Sequence, residues 1–367
     1  MKATARLHEL GQSLWLDNIT RTMLGDGTLK GYIDELSVTG LTSNPTIFDK
    51  AISGGDTYDE QIAEVSAAAD AGEGVGANAD ERVFFELAVA DLRDATDLFA
   101  GVHERTAGVD GFCSLEVSPL LADNGGETIE QAAALHAKAE RENLFIKIPG
   151  TEAGCKAIEE SIFAGIPINV TLLFDDAQYL GAAEAYMRGI ERRIEAGLDP
   201  DVASVASIFM SRWDVAVAAE VPDELHNRLG IAVGGRAYVA YRELLDSPRL
   251  QRLMNEGARP QRLLWASTGT KDPNASDTMY IEAFASPFTV NTMPEPTLLA
   301  FADHGEVGDL MAADGGNSEQ LLKEFEEAGI DVAALAARLQ EEGKGSFVKS
   351  WEDLLSSIQS KRGALAA

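Results

Sequence analysis

Short apolar runs alternate with longer stretches in which apolar residues recur every three or four positions, along nearly the whole chain. A run of four to eight apolar residues closed by turn-forming residues reads as a buried strand. Eight segments fit that description: 13–16, 38–41, 111–117, 144–148, 166–172, 202–209, 263–267 and 288–291. Helical spacing marks 83–99, 129–139, 153–163, 177–194 and the long region 215–245. Strands that alternate with helices imply parallel β-α units. Eight such units fit a closed (β/α)8 TIM barrel in the α/β class, with an open doubly wound sheet as the alternative.

Two regions depart from the alternation. Residues 53–80 are rich in Ala, Gly and Asp and read as a turn within an extended helical connection. Past Asn291, short helical patterns at 298–302, 319–327, 332–341 and 347–358 are punctuated by Gly329, Gly343 and Gly345. The expectation is a single domain over 1–367, with a barrel core at about 12–295 and a C-terminal helical extension, 296–367, packed on it.

The chain has 367 residues, 45% apolar and 25% charged, which is ordinary for a soluble globular protein. A net charge of -30 changes the picture. It argues against nucleic acid, which requires a basic face, and repels anionic small molecules at long range. Any phosphate site must therefore be built from a few local cations. Cys113 and Cys155 have no zinc spacing and suit a reduced, cytoplasmic protein. The first ten residues lack the apolar core of a signal peptide, and no apolar run is long enough to span a membrane. The five histidines are scattered, so no metal-ligand pair emerges.

The candidate chemistry centres on Asn143-Leu144-Phe145-Ile146-Lys147-Ile148-Pro149-Gly150. A lysine inside a buried strand is desolvated, which disfavours its charged form. A neutral amine can attack a carbonyl and form a Schiff base. The bland alternative is a strand-end lysine that snorkels to water. In a β-α barrel the chemistry sits at the C-terminal strand ends, and here almost every one carries a polar residue. These are Asp17, Asn44, Glu116, Lys147, Asn169 with Thr171 on the same strand face, Ser207 followed by Arg212, and Ser267 followed by Lys271. Any one of Asp17, Asn44 or Ser267 could be a helix cap. Together the set supplies a nucleophile, acid–base groups and hydroxyl-binding groups at one mouth.

The chain resembles the transaldolase family. The resemblance is carried by Trp15-Leu16-Asp17, Thr39-Gly40-Leu41-Thr42-Ser43-Asn44-Pro45-Thr46, Leu115-Glu116-Val117-Ser118-Pro119, Asn143 to Gly150, Asn169-Val170-Thr171-Leu172-Leu173-Phe174 and Ser207-Ile208-Phe209-Met210-Ser211-Arg212. It implies transfer of a dihydroxyacetone unit from sedoheptulose 7-phosphate or fructose 6-phosphate to an aldose phosphate, in the non-oxidative pentose phosphate pathway, with neither metal nor cofactor. By resemblance Lys147 is the nucleophile and Asp17 the base on the C4 hydroxyl. Glu116 and Thr171 hold a proton-shuttling water, and Asn44 and Asn169 bind substrate hydroxyls. Arg212 binds phosphate, Ser207 lies near sugar or phosphate, Phe209 packs beside the substrate and Ser267 completes the strand-seven site. There the family often has an arginine two residues after the serine; this chain has Gly269, and Lys271 is the candidate replacement. The expected partners are phosphorylated sugars, with no nucleic acid and no membrane, and the expected assembly is a monomer or homodimer. A Schiff-base aldolase that releases free dihydroxyacetone and a non-catalytic phosphosugar-binding barrel are the competing readings.

Overall fold

In the computed structural model, which describes residues 1–366, eight parallel strands close into a barrel in sequence order. They are β1 (Ser13–Asp17), β2 (Val38–Thr42), β3 (Cys113–Glu116), β4 (Leu144–Pro149), β5 (Ile168–Leu173), β6 (Ser204–Phe209), β7 (Arg262–Ala266) and β8 (Val290–Met293). All eight fall where the apolar runs predicted them. The strands are buried on both faces, by helices outside and by one another inside, which is why they read as runs rather than as alternations. Side chains capping the following helix mark the return path: Asn44 after β2, Thr151 after β4 and Asp175 after β5 each accept a helix N–H.

The N-terminal end of the barrel is plugged. Asp110 accepts the indole N–H of Trp15 at 2.7 Å and the hydroxyl of Ser13, and Arg262 donates to Ser13 at 2.7 Å. Trp15 is fully buried. It faces Gly40 across β2, where the β1–β2 register slips between Leu14 and Trp15. A Cβ on Gly40 would lie 2.5 Å from Trp15 Nε1, so glycine is the residue that fits there.

Three expectations about helices need correction. The region 215–245 is not one helix: Ser211–Val217 is followed by a short 3-10 turn, Asp223–Leu225, and then by Leu229–Leu245. The first helix ends at Val217, Pro222 in the connection has no N–H with which to continue it, and the buried Asp214 carboxylate takes the Leu229 and Gly230 N–H groups at 2.8 and 3.2 Å. A helix at Ala3–Glu9 precedes β1 and was not expected. The last two C-terminal segments are one helix of 34 residues, Val332–Leu365, that runs through Gly343 and Gly345.

Each interior glycine costs a helix about 1 kcal/mol. That cost is overridden by packing, since Phe347, Trp351, Leu354 and Ile358 form a buried stripe at helical spacing. Gly343 also has a positive use. A Cβ there would meet Leu172 Cδ2 at 2.9 Å, so glycine lets the helix approach the end of β5. Gln340 tethers it there, donating to the carbonyls of Leu172 and Gly150 at 2.9 and 3.3 Å. Among the described residues no helix is long and apolar enough to cross a membrane.

Gly40→Ala should overpack the space beside Trp15 and destabilise the fold by about 1–3 kcal/mol. Urea unfolding measures this; an unchanged midpoint would show that Trp15 can move aside.

Candidate active site

The register of the barrel brings the strand-end polar residues together. Glu116 on β3 pairs with Lys147 on β4, and Lys147 pairs with Asn169 on β5. Lys147 and Glu116 are only 5% and 6% exposed. Lys147 Nζ lies 3.2 Å from Glu116 Oε2 and donates to the Ser43 carbonyl at 3.2 Å. Two buried charges are tolerated when they face each other in this way.

The expected residues do not all reach the same surface. Asp17, Asn44, Lys147, Thr171, Ser207 and Phe209 line a cavity of about 600 Å³ at the C-terminal mouth. Arg212, Ser267 and Lys271 complete its wall from the β6 and β7 ends. Glu116 and Asn169 stand behind that wall, both buried. Asn169 is held at both ends of its amide: it donates to Ser114 Oγ at 3.1 Å and accepts from Ser207 at 2.8 Å.

The capping alternatives separate cleanly. Asp17 caps nothing, because Thr20 caps the helix that follows β1. Asn44 does cap, accepting the Ile47 N–H at 3.1 Å, and also lines the cavity. Ser267 is held in the left-handed region, at φ 55°, with its hydroxyl 2.9 Å from that of Ser211. Such strain in a non-glycine residue is costly and clusters at functional sites.

Burial pushes both carboxyls above the ordinary carboxylate range. For Asp17 the Lys147 charge, the Thr42 hydrogen bond and the Lys271 charge oppose that rise. For Glu116 the Lys147 charge and contact oppose it, while Asp17 adds to it. Burial pushes the Arg212 guanidinium down, against the pull of Glu116. Arg212 stacks between two rings, its Cζ 5.0 Å from the centroid of Phe209 and 5.9 Å from that of Phe347. Among the described residues neither Arg212 nor Lys271 pairs with a carboxylate, although the chain has twice as many acids (60) as Lys and Arg (30). Among the described residues Thr171 Oγ1 is buried without a hydrogen-bond partner, and Glu116 Oε2 meets only Lys147 Nζ, at 3.2 Å. No cluster of potential metal ligands occurs among the described residues.

Sequence reasoning missed several residues at this mouth. Phe347, on the C-terminal helix, places its ring centroid 5.8 Å from Lys147 Nζ. Lys50 and Thr292 line the cavity, and Thr42 bonds Asp17 at 2.7 Å. Phe347 carried no signal in the sequence.

The chain is thus a closed (β/α)8 barrel with a buried lysine–carboxylate pair at its C-terminal mouth. Comparison with known proteins narrows the class. The family model for transaldolase/fructose-6-phosphate aldolase matches residues 14–358, and the chain belongs to that family. A protein named Transaldolase from Parafrankia sp. (strain EAN1pec) is 42% identical over 376 aligned positions, covering 100% of both chains. One of the same name from Saccharopolyspora erythraea is 42% identical, with 96% of each chain covered. Transaldolase 2 of Streptomyces coelicolor is 41% identical, covering 99% of this chain and 98% of its own.

Lys147→Met removes the cation from the buried pair and should cost about 3–5 kcal/mol of stability at pH 8. Folding raises the Glu116 carboxyl. The folded chain therefore holds a proton that the unfolded chain releases, and stability falls as pH climbs from the ordinary carboxylate value through the raised one. The variant should lose less at pH 5, and adding Glu116→Gln should remove most of that pH dependence. Urea titrations at the two pH values measure this; equal losses at both would mean that Glu116 does not carry the charge left behind.

Proposed function

We propose that the chain transfers a dihydroxyacetone unit from a ketose phosphate, sedoheptulose 7-phosphate or fructose 6-phosphate, to an aldose phosphate through a Schiff base on Lys147. The observation that carries this reading is a buried lysine, in contact with a raised carboxyl, that opens into a cavity lined by Lys50, Arg212 and Lys271, none paired with a carboxylate among the described residues.

The chemistry follows from the placement. Lys147 adds as the free amine to the C2 ketone, and Glu116 takes the proton that the amine sheds. The carbinolamine then loses water to give an iminium. Thr171 Oγ1, which has no hydrogen-bond partner among the described residues, and the Glu116 carboxylate suit a water that carries those protons. Asp17, whose raised carboxyl is a stronger base than an ordinary one, removes the C4 hydroxyl proton. The C3–C4 bond breaks, its electron pair passes into the iminium, and an aldose phosphate leaves. In the second half the enamine carbon attacks the acceptor aldehyde, Asp17 returns its proton, and water releases the ketose product.

Arg212 and Lys271 are the phosphate ligands in this reading. Arg212 can grip two phosphate oxygens at once. Lys271 Nζ lies 3.6 Å from where a Cβ on Gly269 would stand, so its ammonium occupies the space from which an arginine side chain would start. Phe347 and Phe209 wall the pocket beside these groups and keep water from the enamine.

A coupled assay tests the reaction class. With fructose 6-phosphate as donor, product should form only when erythrose 4-phosphate is supplied; release of free dihydroxyacetone at the same rate without acceptor would make the protein an aldolase. Arg212→Ala should raise KM for phosphorylated sugars roughly 10- to 100-fold, the worth of a charged hydrogen bond. Lys271→Ala should act in the same direction. An unchanged KM in both would move the phosphate site elsewhere.

A further inference from the structure

We propose that Thr42, itself held by Thr292, is a positioning residue that fixes Asp17 by one carboxylate oxygen and leaves Oδ2 as the oxygen that exchanges a proton with the substrate. The proposal rests on the reading of Asp17 as the base of the transfer reaction.

Three strands build the arrangement. Asp17 ends β1, and its register partner on β2 is Thr42. On the other side of β1, Trp15 pairs with Thr292 of β8, one inward-facing position below Asp17. Both threonines are buried, at 2% and 4% exposure, and both line the cavity beside Asp17. Thr42 Oγ1 lies 2.7 Å from Asp17 Oδ1 and 2.7 Å from Thr292 Oγ1.

Proton counting orders the chain. A hydroxyl has one hydrogen to donate and lone pairs to accept with. An ionised carboxylate only accepts, so Thr42 donates to Asp17. Thr42 has then spent its hydrogen, and the contact to Thr292 is satisfied only if Thr292 donates to Thr42. The relay runs in one direction, from Thr292 through Thr42 to Oδ1. Thr292 is in turn placed by its backbone carbonyl, which accepts from Thr268 Oγ1 at 2.8 Å.

Oδ1 is thereby committed, and Oδ2 takes no hydrogen bond from the described residues. When the C4 hydroxyl gives up its proton, the proton goes to Oδ2. The C3–C4 electron pair moves to the iminium, and the same proton returns as the acceptor bond forms. Oδ1 remains an acceptor in both states of Asp17, so the relay is not rearranged during turnover. A base held this way loses no freedom in the transition state, which is how orientation contributes to rate.

The charged groups that face Asp17 are Lys147 from β4, Glu116 from β3 and Lys271 from the loop after β7. Lys50, Arg212 and Glu295 line the same cavity. Against that fixed field, the Thr42 bond favours the ionised carboxylate. Removing it should move the acid limb of the kcat profile to higher pH, because Asp17 must be ionised to act.

The test compares Thr42→Val, Thr42→Ser, Thr292→Val and Asp17→Asn in the coupled transfer assay over a range of pH. Thr42→Val should lower kcat roughly 10- to 100-fold, leave KM little changed and shift the acid limb upward, while borohydride still traps the sugar on the enzyme. Thr292→Val should shift the limb the same way by less. Thr42→Ser keeps the hydroxyl and should return kcat and the limb toward the parent values. A Thr42→Val enzyme with the parent kcat and pH profile, beside an inactive Asp17→Asn, would overturn the relay. So would a Thr42→Ser as impaired as the valine variant. If Asp17→Asn itself turned over normally, the assignment of Asp17 as the base would fail instead. If Thr42→Val does not fold, the limb shift in Thr292→Val decides.

Discussion

A lysine and a glutamate, both almost fully buried, face each other at 3.2 Å across the β3–β4 pairing. Each charge alone would be expelled from such a place, because desolvating an ion costs several kcal/mol that only a well-placed partner offsets. The closed barrel provides the placement. Strand register fixes Glu116 beside Lys147 and Asn169 beside Lys147 on the other side. The floor below is filled by Trp15, Asp110 and Arg262, and Lys147 opens into the cavity at the mouth. The pair is thus both a structural strain and the chemical resource of the site. Its carboxyl is pushed up by burial and carries protons more readily than an exposed one.

The rim is assembled from elements far apart in the chain. Asp17 comes from the first strand, Lys271 from the loop after the seventh, and Phe347 from the last helix. That helix is tethered along its length: Gln340 to the β5 end, Lys344 to Asp123, Trp351 to Glu81, and Arg362 to Asp70 and Asp80. Gly343 allows the approach that sets Phe347 over the lysine. The strongly acidic surface leaves the mouth as an exception, with Arg212, Lys271 and Lys50 facing the cavity beside Lys147. Long-range repulsion of anions is met there by local cations, within a distance at which salt screens little.

The barrel was legible because parallel strands buried on both faces leave uninterrupted apolar runs, and the alternation with helices limits the architectures. Lys147 and Glu116 stood out for the same reason, as charges inside such runs. The continuity of the last helix was hidden because local propensity counts Gly343 and Gly345 as breaks, whereas the barrel surface requires a small residue at Gly343. Thr42 was hidden by a register slip. The irregularity between Leu14 and Trp15 sets Asp17 opposite Thr42, and nothing in either strand alone encodes it. Asn169 has the expected type and strand, and what the sequence did not show is that Ser114 and Ser207 orient its amide.

The account turns on Lys147 as the atom that bonds to substrate. The direct measurement is to incubate the protein with fructose 6-phosphate, reduce with borohydride, digest, and locate the modified peptide by mass spectrometry. The account predicts a three-carbon adduct on Lys147 in the peptide around Asn143 to Gly150. An adduct on a different lysine, or none in a folded sample that binds the sugar, would contradict it.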